Sequence, residues 1–145
     1  MKRISVLAML ALVLVFGLAF VGCDSGSNER PEMTEIYVVK SADWEAGNYY
    51  NYVTTIAATE YYMLRWVFKS PYEDVERFGI TIKRGATVIS SNERAWNSII
   101  PKTGAFSTFS GDYMLPAGTY TIEVYIVDVK GNKSNTKTVT LTVTQ

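Results

Sequence analysis

The sequence predicts an all-β protein, a two-sheet antiparallel β-sandwich of about seven strands, on three observations. After the first 22 residues, 52 of the remaining 123 are Val, Ile, Thr, Tyr, Phe or Trp, and Leu occurs only as Leu64, Leu115 and Leu141. β-branched and aromatic side chains fit a pleated, half-buried surface, whereas helix bundles draw on Leu, Ala, Glu and Lys. The end of the chain alternates with a period of two: Tyr120, Ile122, Val124 and Ile126 against Thr121, Glu123, Tyr125 and Val127, then Val139, Leu141 and Val143 against Thr138, Thr140, Thr142 and Thr144. Finally, the 114 residues from Glu32 to Gln145 suit one domain, with several short strand patterns, frequent turns and no sustained helical period.

The elements follow in sequence order. Met1-Lys2-Arg3 is a short positive segment, and an apolar run from Ile4 to Val21 is interrupted only by Ser5 and Gly17. Residues 1–22 therefore read as an export signal. The run stops at Phe20-Val21-Gly22-Cys23, which resembles the lipobox of bacterial lipoproteins. Gly22 is the small residue that lets a signal peptidase cut beside the thiol, and Phe20 departs from the family's usual Leu, Val or Ile. The resemblance implies lipidation of Cys23, where two or three acyl chains give the stable anchoring that one does not. Cys23 is the only cysteine, so an exported protein has a reason to keep it and folds without a disulfide. Residues 23–31 then form an acylated cysteine and flexible tether, since Asp24 to Arg30 contain no apolar side chain. The implied location is the bacterial cell envelope. Asp24 is an inner-membrane retention signal in some lineages only, so inner membrane, outer membrane and cell surface all remain open.

The domain spans residues 32–145. A first strand is expected over Thr34–Lys40. Tyr61–Lys69 places Leu64, Trp66 and Phe68 on one face and Met63, Arg65 and Val67 on the other. Phe78–Lys83 points Ile80 and Ile82 inward; Arg84-Gly85-Ala86 turns into a strand over Thr87–Ser90, and a short strand lies near Ala105–Phe109. Ser70-Pro71-Tyr72-Glu73 has the spacing of a capping box with proline at the first helical position, and Ser90 and Glu93 repeat it before Arg94-Ala95-Trp96, so two helices of one or two turns are expected there. Tyr52 to Phe68 contains no Gly, Pro, Asn or Asp, yet 17 extended residues at ~3.4 Å each overrun a sandwich. A break is expected around Ala57-Ala58-Thr59.

Two stretches carry a family resemblance. Leu64-Arg65-Trp66, Ser70-Pro71, Phe78-Gly79-Ile80-Thr81-Ile82 and Gly85 are similar to the B and C strands of a fibronectin type III domain. Leu115-Pro116-Ala117-Gly118-Thr119-Tyr120-Thr121-Ile122, continuing to Asp128-Val129-Lys130-Gly131-Asn132, is similar to its F strand and F–G turn, as also found in bacterial immunoglobulin-like domains. The resemblance implies that Trp66 packs between the sheets and that Tyr120 is a corner tyrosine bonding back to upstream backbone. It covers about half of the mature protein, leaves Ser41–Glu60 long for an A–B connection and does not align Thr87–Gly111. Its motifs are structural, so no function comes with them.

Composition narrows the chemistry. There is no histidine, which removes Ser-His-Asp and Cys-His triads, His-ligated zinc and imidazole proton transfer. The precursor balances 14 Lys+Arg against 14 Asp+Glu, and the mature protein 12 against 14, with no basic cluster for nucleic acid. Carboxylates gather at Glu73, Asp74 and Glu76 and flank Trp44 as Asp43 and Glu45. Glu73 and Asp74 suit the first turn of the expected helix better than a glycosidase pair, so an enzyme is the least favoured class and no catalytic residue is assigned. Asp128, Gly131 and Asn132 offer oxygens in a turn, without the run of ligands that calcium's six to eight positions demand; no metal or cofactor is expected.

The informative excess is aromatic. Trp66, Phe68 and Tyr120 have core roles by periodicity, but Trp44, Tyr49, Tyr50 and Tyr52 crowd the long A–B connection and Trp96 lies in the unaligned stretch. These five are the candidate ligand contacts, because rigid amphipathic rings bury area with little entropy loss. Covering a sheet edge is the competing explanation. The expected function is a lipid-anchored, non-catalytic sandwich contacting another envelope or host protein, with a carbohydrate-binding module as the alternative. Exposed coplanar rings would favour the glycan.

Overall fold

The computed structural model describes residues 30–70, 75–96, 104–109 and 115–145. Cys23, the export signal expected over residues 1–22 and the helix expected from Pro71 lie outside these residues. The strands are β1 (Glu32–Lys40), β2 (Thr55–Ala57), β3 (Tyr62–Lys69), β4 (Val75–Arg84), β5 (Thr87–Ala95), β6 (Gly104–Phe109), β7 (Gly118–Asp128) and β8 (Lys137–Thr144), with a one-turn helix α1 (Ser41–Glu45) after β1. They form two sheets, β1-β3-β6 and β2-β8-β7-β4-β5. Every pairing is antiparallel except β2 with β8. The all-β sandwich is thus the observed fold.

The core lies between the sheets. On β3, Leu64, Trp66 and Phe68 face inward and are almost fully buried. On β7, the central strand flanked by β4 and β8, Tyr120, Ile122, Val124 and Ile126 do the same. Trp66 packs tilted against Phe78 of the opposite sheet with ring centroids 5.5 Å apart. Aromatic pairs in this range add ~0.5–1.5 kcal/mol beyond the area they bury. Tyr120 donates its hydroxyl to Pro116 O at 2.7 Å, the corner that the resemblance implies. The alternation ends at Asp128, whose buried carboxylate accepts the N–H groups of Lys130 and Asn132 and the Asn132 side-chain amide, closing the turn after β7 around Gly131 (φ 83°). Those bonds give Asp128 and Asn132 their place in the turn.

Three elements differ from expectation. Ser90–Glu93 is not a helix start: β5 continues extended to Ala95. One helical turn would have to bear the whole nucleation cost, whereas the extended segment pairs along β4 from Arg84↔Thr87 to Arg77↔Ala95. Side chains reinforce that pairing, with Arg77 Nε 2.8 Å from Glu93 Oε1 and the Thr81 and Ser91 hydroxyls 3.0 Å apart. Two further elements, α1 and β2, appear in the long connection. That connection leaves the three-stranded sheet, adds β2 beside β8, and returns to β3. Its return is the expected break. Glu60 N donates to Ala57 O, and Glu60 Oε2 accepts Ala57 N at 2.7 Å while Oε1 holds Lys40 Nζ at 2.7 Å. The Lys40 bond, then the Ala57 amide, hold the Glu60 carboxyl below its ordinary pKa.

Among the described residues, no helix is long and apolar enough to cross a membrane.

Candidate functional site: the tyrosine patch on the three-stranded sheet

β1 and β3 alternate from Ile36 onward, past a bulge between Met33 and Glu35. Ile36 and Val38 face the core opposite Trp66 and Leu64, so Tyr37 and Val39 point outward opposite Arg65 and Met63. Val39 and Met63 are nonetheless buried, because the connection folds over them: Tyr52 bridges Val39, and Val53 N donates to Val38 O at 2.9 Å. This covering places Tyr52 flat on Tyr37, with ring centroids 3.9 Å apart and planes 7° apart. Tyr50 meets Tyr52 edge-on at 6.4 Å and 67°. Arg65 reaches up from β3, its Cζ 4.7 Å from the Tyr50 centroid and 5.9 Å from that of Tyr52, and its Nη1 donates to Tyr52 Oη at 2.7 Å.

The neighbouring turn is equally ordered. Trp44 on α1 packs edge-to-face on Tyr49 at 4.5 Å and 62°. Gly47 (φ 80°) lets the backbone reverse after the helix, Asn48 N bonds Asp43 O, and Asn51 Nδ2 bonds Asp43 Oδ2 at 2.9 Å. The resulting surface exposes Tyr50 at 72%, Tyr49 at 43% and Tyr52 at 39%, while Trp44 is half-buried. The Tyr37 hydroxyl titrates above its ordinary value, chiefly because it is hydrogen-bonded to Glu35.

The structure therefore brings Trp44, Tyr49, Tyr50 and Tyr52 into one connection and places Trp96 elsewhere. β5 delivers Trp96 to the rim of the core, where it stands edge-on to Phe68 at 5.3 Å and Phe78 at 5.9 Å. It is half-buried, and its role there is packing. Sequence reasoning missed two members of the patch, Tyr37 and Arg65. Both sit at outward positions of alternating strands, and the register that sets them opposite each other is what joins them to Tyr52.

Two of the carboxylates singled out have structural partners. Glu76 pairs with Arg77 at 3.0 Å, and Asp43 holds Asn51 as above; Glu73 and Asp74 lie outside the described residues. On the five-stranded sheet, Glu76, Arg77, Glu93, Arg94 and Ala95 line a shallow open depression of about 200 Å³. Above it Glu93 accepts the Tyr125 hydroxyl at 2.7 Å, so these charges answer one another. Among the described residues, no three Cys, Asp or Glu side chains gather in a way that would hold a metal ion.

No protein-family model matches this sequence. No curated protein matches it either. Among solved structures it is similar to the PKD domain of an M14-like peptidase from Thermoplasmatales archaeon SCGC AB-540-F20, at 17% identity and a TM-score of 0.46, covering 82% of this chain and 100% of that one.

Proposed function

We propose that this chain is a lipid-anchored protein of the bacterial cell envelope, fixed through Cys23, whose single non-catalytic sandwich binds another envelope or host protein through the tyrosine patch. The observation that carries the reading is the arrangement of the rings. A sugar-binding platform presents flat, exposed faces, but the near-parallel pair here, Tyr37 and Tyr52, spends its facing surfaces on each other. The remaining pairs meet at 62° and 67°. Such a surface is ridged, with aromatic edges, hydroxyls and a guanidinium, as protein interfaces are. This favours protein contact over the carbohydrate-binding alternative.

Two experiments test it. For the anchor, Cys23→Ser abolishes metabolic labelling with palmitate and leaves an uncleaved or soluble precursor; persistent labelling refutes the lipobox assignment. For the patch, a photo-cross-linking side chain at Tyr50 in the full acylated protein, displayed in intact envelopes, gives a discrete protein adduct. Tyr50→Ala weakens that complex by ~2 kcal/mol or more while shifting stability by no more than about 0.5 kcal/mol. An adduct with glycan alone would replace this reading with the alternative.

A further inference from the structure

Arg65 carries a charge that the rest of the described structure does not answer. Three other cations on the strands are paired with carboxylates: Lys40 with Glu60 at 2.7 Å, Arg77 with Glu93 at 2.8 Å and Lys83 with Glu123 at 2.6 Å. Arg65 is half-buried, and among the described residues it makes no salt bridge. Its partners are the Tyr50 and Tyr52 rings and the Tyr52 hydroxyl, which takes one donor at Nη1. A guanidinium has five N–H donors in one rigid plane. The ring contacts and a single hydrogen bond hold the guanidinium in place and leave donors of the fork without a described protein acceptor. Glu35, in the same outward row as Tyr37, is engaged by the Tyr37 hydroxyl.

We infer that Arg65 is the carboxylate-recognising element of the patch, taking an Asp or Glu side chain, or a terminal carboxylate, from a protein partner whose adjoining apolar group lies against Tyr50. This rests on the protein-binding reading above and adds the partner's chemistry. The physical basis is complementarity. A planar fork already oriented by two rings loses little further freedom on binding a carboxylate, and charge-assisted bidentate bonds are roughly twice as strong as neutral ones. The 72% exposure of Tyr50 leaves room beside the fork for the neighbouring side chain.

The test uses N-acetylphenylalanine as a probe carrying a carboxylate beside a ring, its primary amide as the uncharged match, and glucuronate as an acidic sugar. Each is titrated into the full-length protein while the Arg65 Nε–H and the Tyr50 and Tyr52 ring resonances are followed. The acid shifts all three, and the amide binds roughly tenfold more weakly. Arg65→Lys weakens the acid about tenfold, because the point charge survives and the fork does not; Arg65→Gln makes acid and amide bind alike. Both variants keep the parent's thermal midpoint to within a few degrees, as partly exposed substitutions should. If acid and amide bind the wild-type protein equally at the tyrosines, the carboxylate assignment is overturned and the protein-binding patch stands. If glucuronate binds more tightly than the acid, the site reads an acidic glycan and both readings fall. If no probe moves any of the three resonances, the patch itself is refuted as a binding surface.

Discussion

Gly79 and Tyr125 face each other across β4 and β7, and the glycine makes room for the ring. A Cβ built on Gly79 overlaps Cζ and Cε1 of Tyr125, so Gly79→Ala must lift the ring from the sheet. Three contributions are then lost together. The Tyr125 hydroxyl leaves Glu93, to which it donates at 2.7 Å; Lys133 Nζ loses the ring face it approaches to 3.4 Å; and the glycine backbone loses its cover. An exposed hydrogen bond contributes ~0.5–1.5 kcal/mol and an exposed cation–π contact ~0.5–1 kcal/mol. Against this, alanine recovers ~0.5–1 kcal/mol of backbone entropy that glycine costs within a strand. Gly79→Ala is therefore expected to destabilise by only about 0.5–1 kcal/mol, and Tyr125→Ala by about 1–2 kcal/mol. The decisive quantity is their coupling. With the ring already displaced, Tyr125→Ala in the Gly79→Ala background costs little, which gives a coupling of about 1 kcal/mol. Urea unfolding of the four proteins at constant m-value measures it. An independent readout is the Tyr125 phenol, which titrates above its ordinary value chiefly because Glu93 accepts its proton in a hydrogen bond. Gly79→Ala moves that titration back toward the ordinary range, as followed by labelled tyrosine ring carbons. Additivity within about 0.3 kcal/mol would refute the account of Gly79 as the seat of the ring.

Further expectations follow from the same geometry. Trp66→Ala costs ~3–5 kcal/mol in urea unfolding, since it empties a fully buried site between the sheets. Tyr120→Phe costs ~1 kcal/mol by leaving Pro116 O without its donor; an unchanged urea midpoint would discount the corner. Asn135→Ala removes both bonds that its side chain makes to Met33 N and O, so the Met33 amide loses hydrogen-exchange protection and stability falls by ~1–3 kcal/mol. Because the Glu60 carboxyl is held below its ordinary value of 4.5, its contribution is complete above that value and is lost as pH falls through the lower folded value. Glu60→Gln should accordingly flatten the acid limb of the stability–pH profile, and an unaltered limb would remove Glu60 from that role.

Legibility in the sequence followed one-sided burial. β7 and β8 each bury one face, so alternation names their inward residues directly. β5 is exposed on nearly every residue, so it has no period to read, and a local capping pattern at Ser90–Glu93 suggested a helix instead. Only pairing along β4 makes it a strand. β2 has three residues and a partner more than eighty positions away, which no local pattern encodes. The candidate site divides in the same way. Trp44, Tyr49, Tyr50 and Tyr52 stood out because they lie in a connection too long for its fold, where periodicity gave them no core position. Trp96 stood out for the same reason and belongs to the core rim, reached by a strand that the sequence hid. Arg65 was readable on the face opposite Leu64, Trp66 and Phe68, but its meeting with Tyr37 depends on the β1–β3 register, which is a long-range property.

The two ends of β1 give the proposed function its geometry. β1 begins at Glu32, beside the end of β3 at Lys69, and Asn135 clamps Met33 across to the segment leading into β8. At the other end, β1 passes from Lys40 directly into α1, which carries Trp44 and is followed by Tyr49 and Tyr50. Nine extended residues separate these ends, a span of roughly 25–30 Å at ~3.3 Å per residue. On the lipid-anchored reading, β1 both carries the anchor's load and holds the aromatic turn away from the bilayer by about the height of the domain. Rings used for dipping into lipid would have to sit at the tether end. On that reading, the proposed partner is met on the side facing away from the membrane. On the same reading, a pull on the anchor meets the Asn135 clamp and the start of β1 before the strand positions that build the proposed patch.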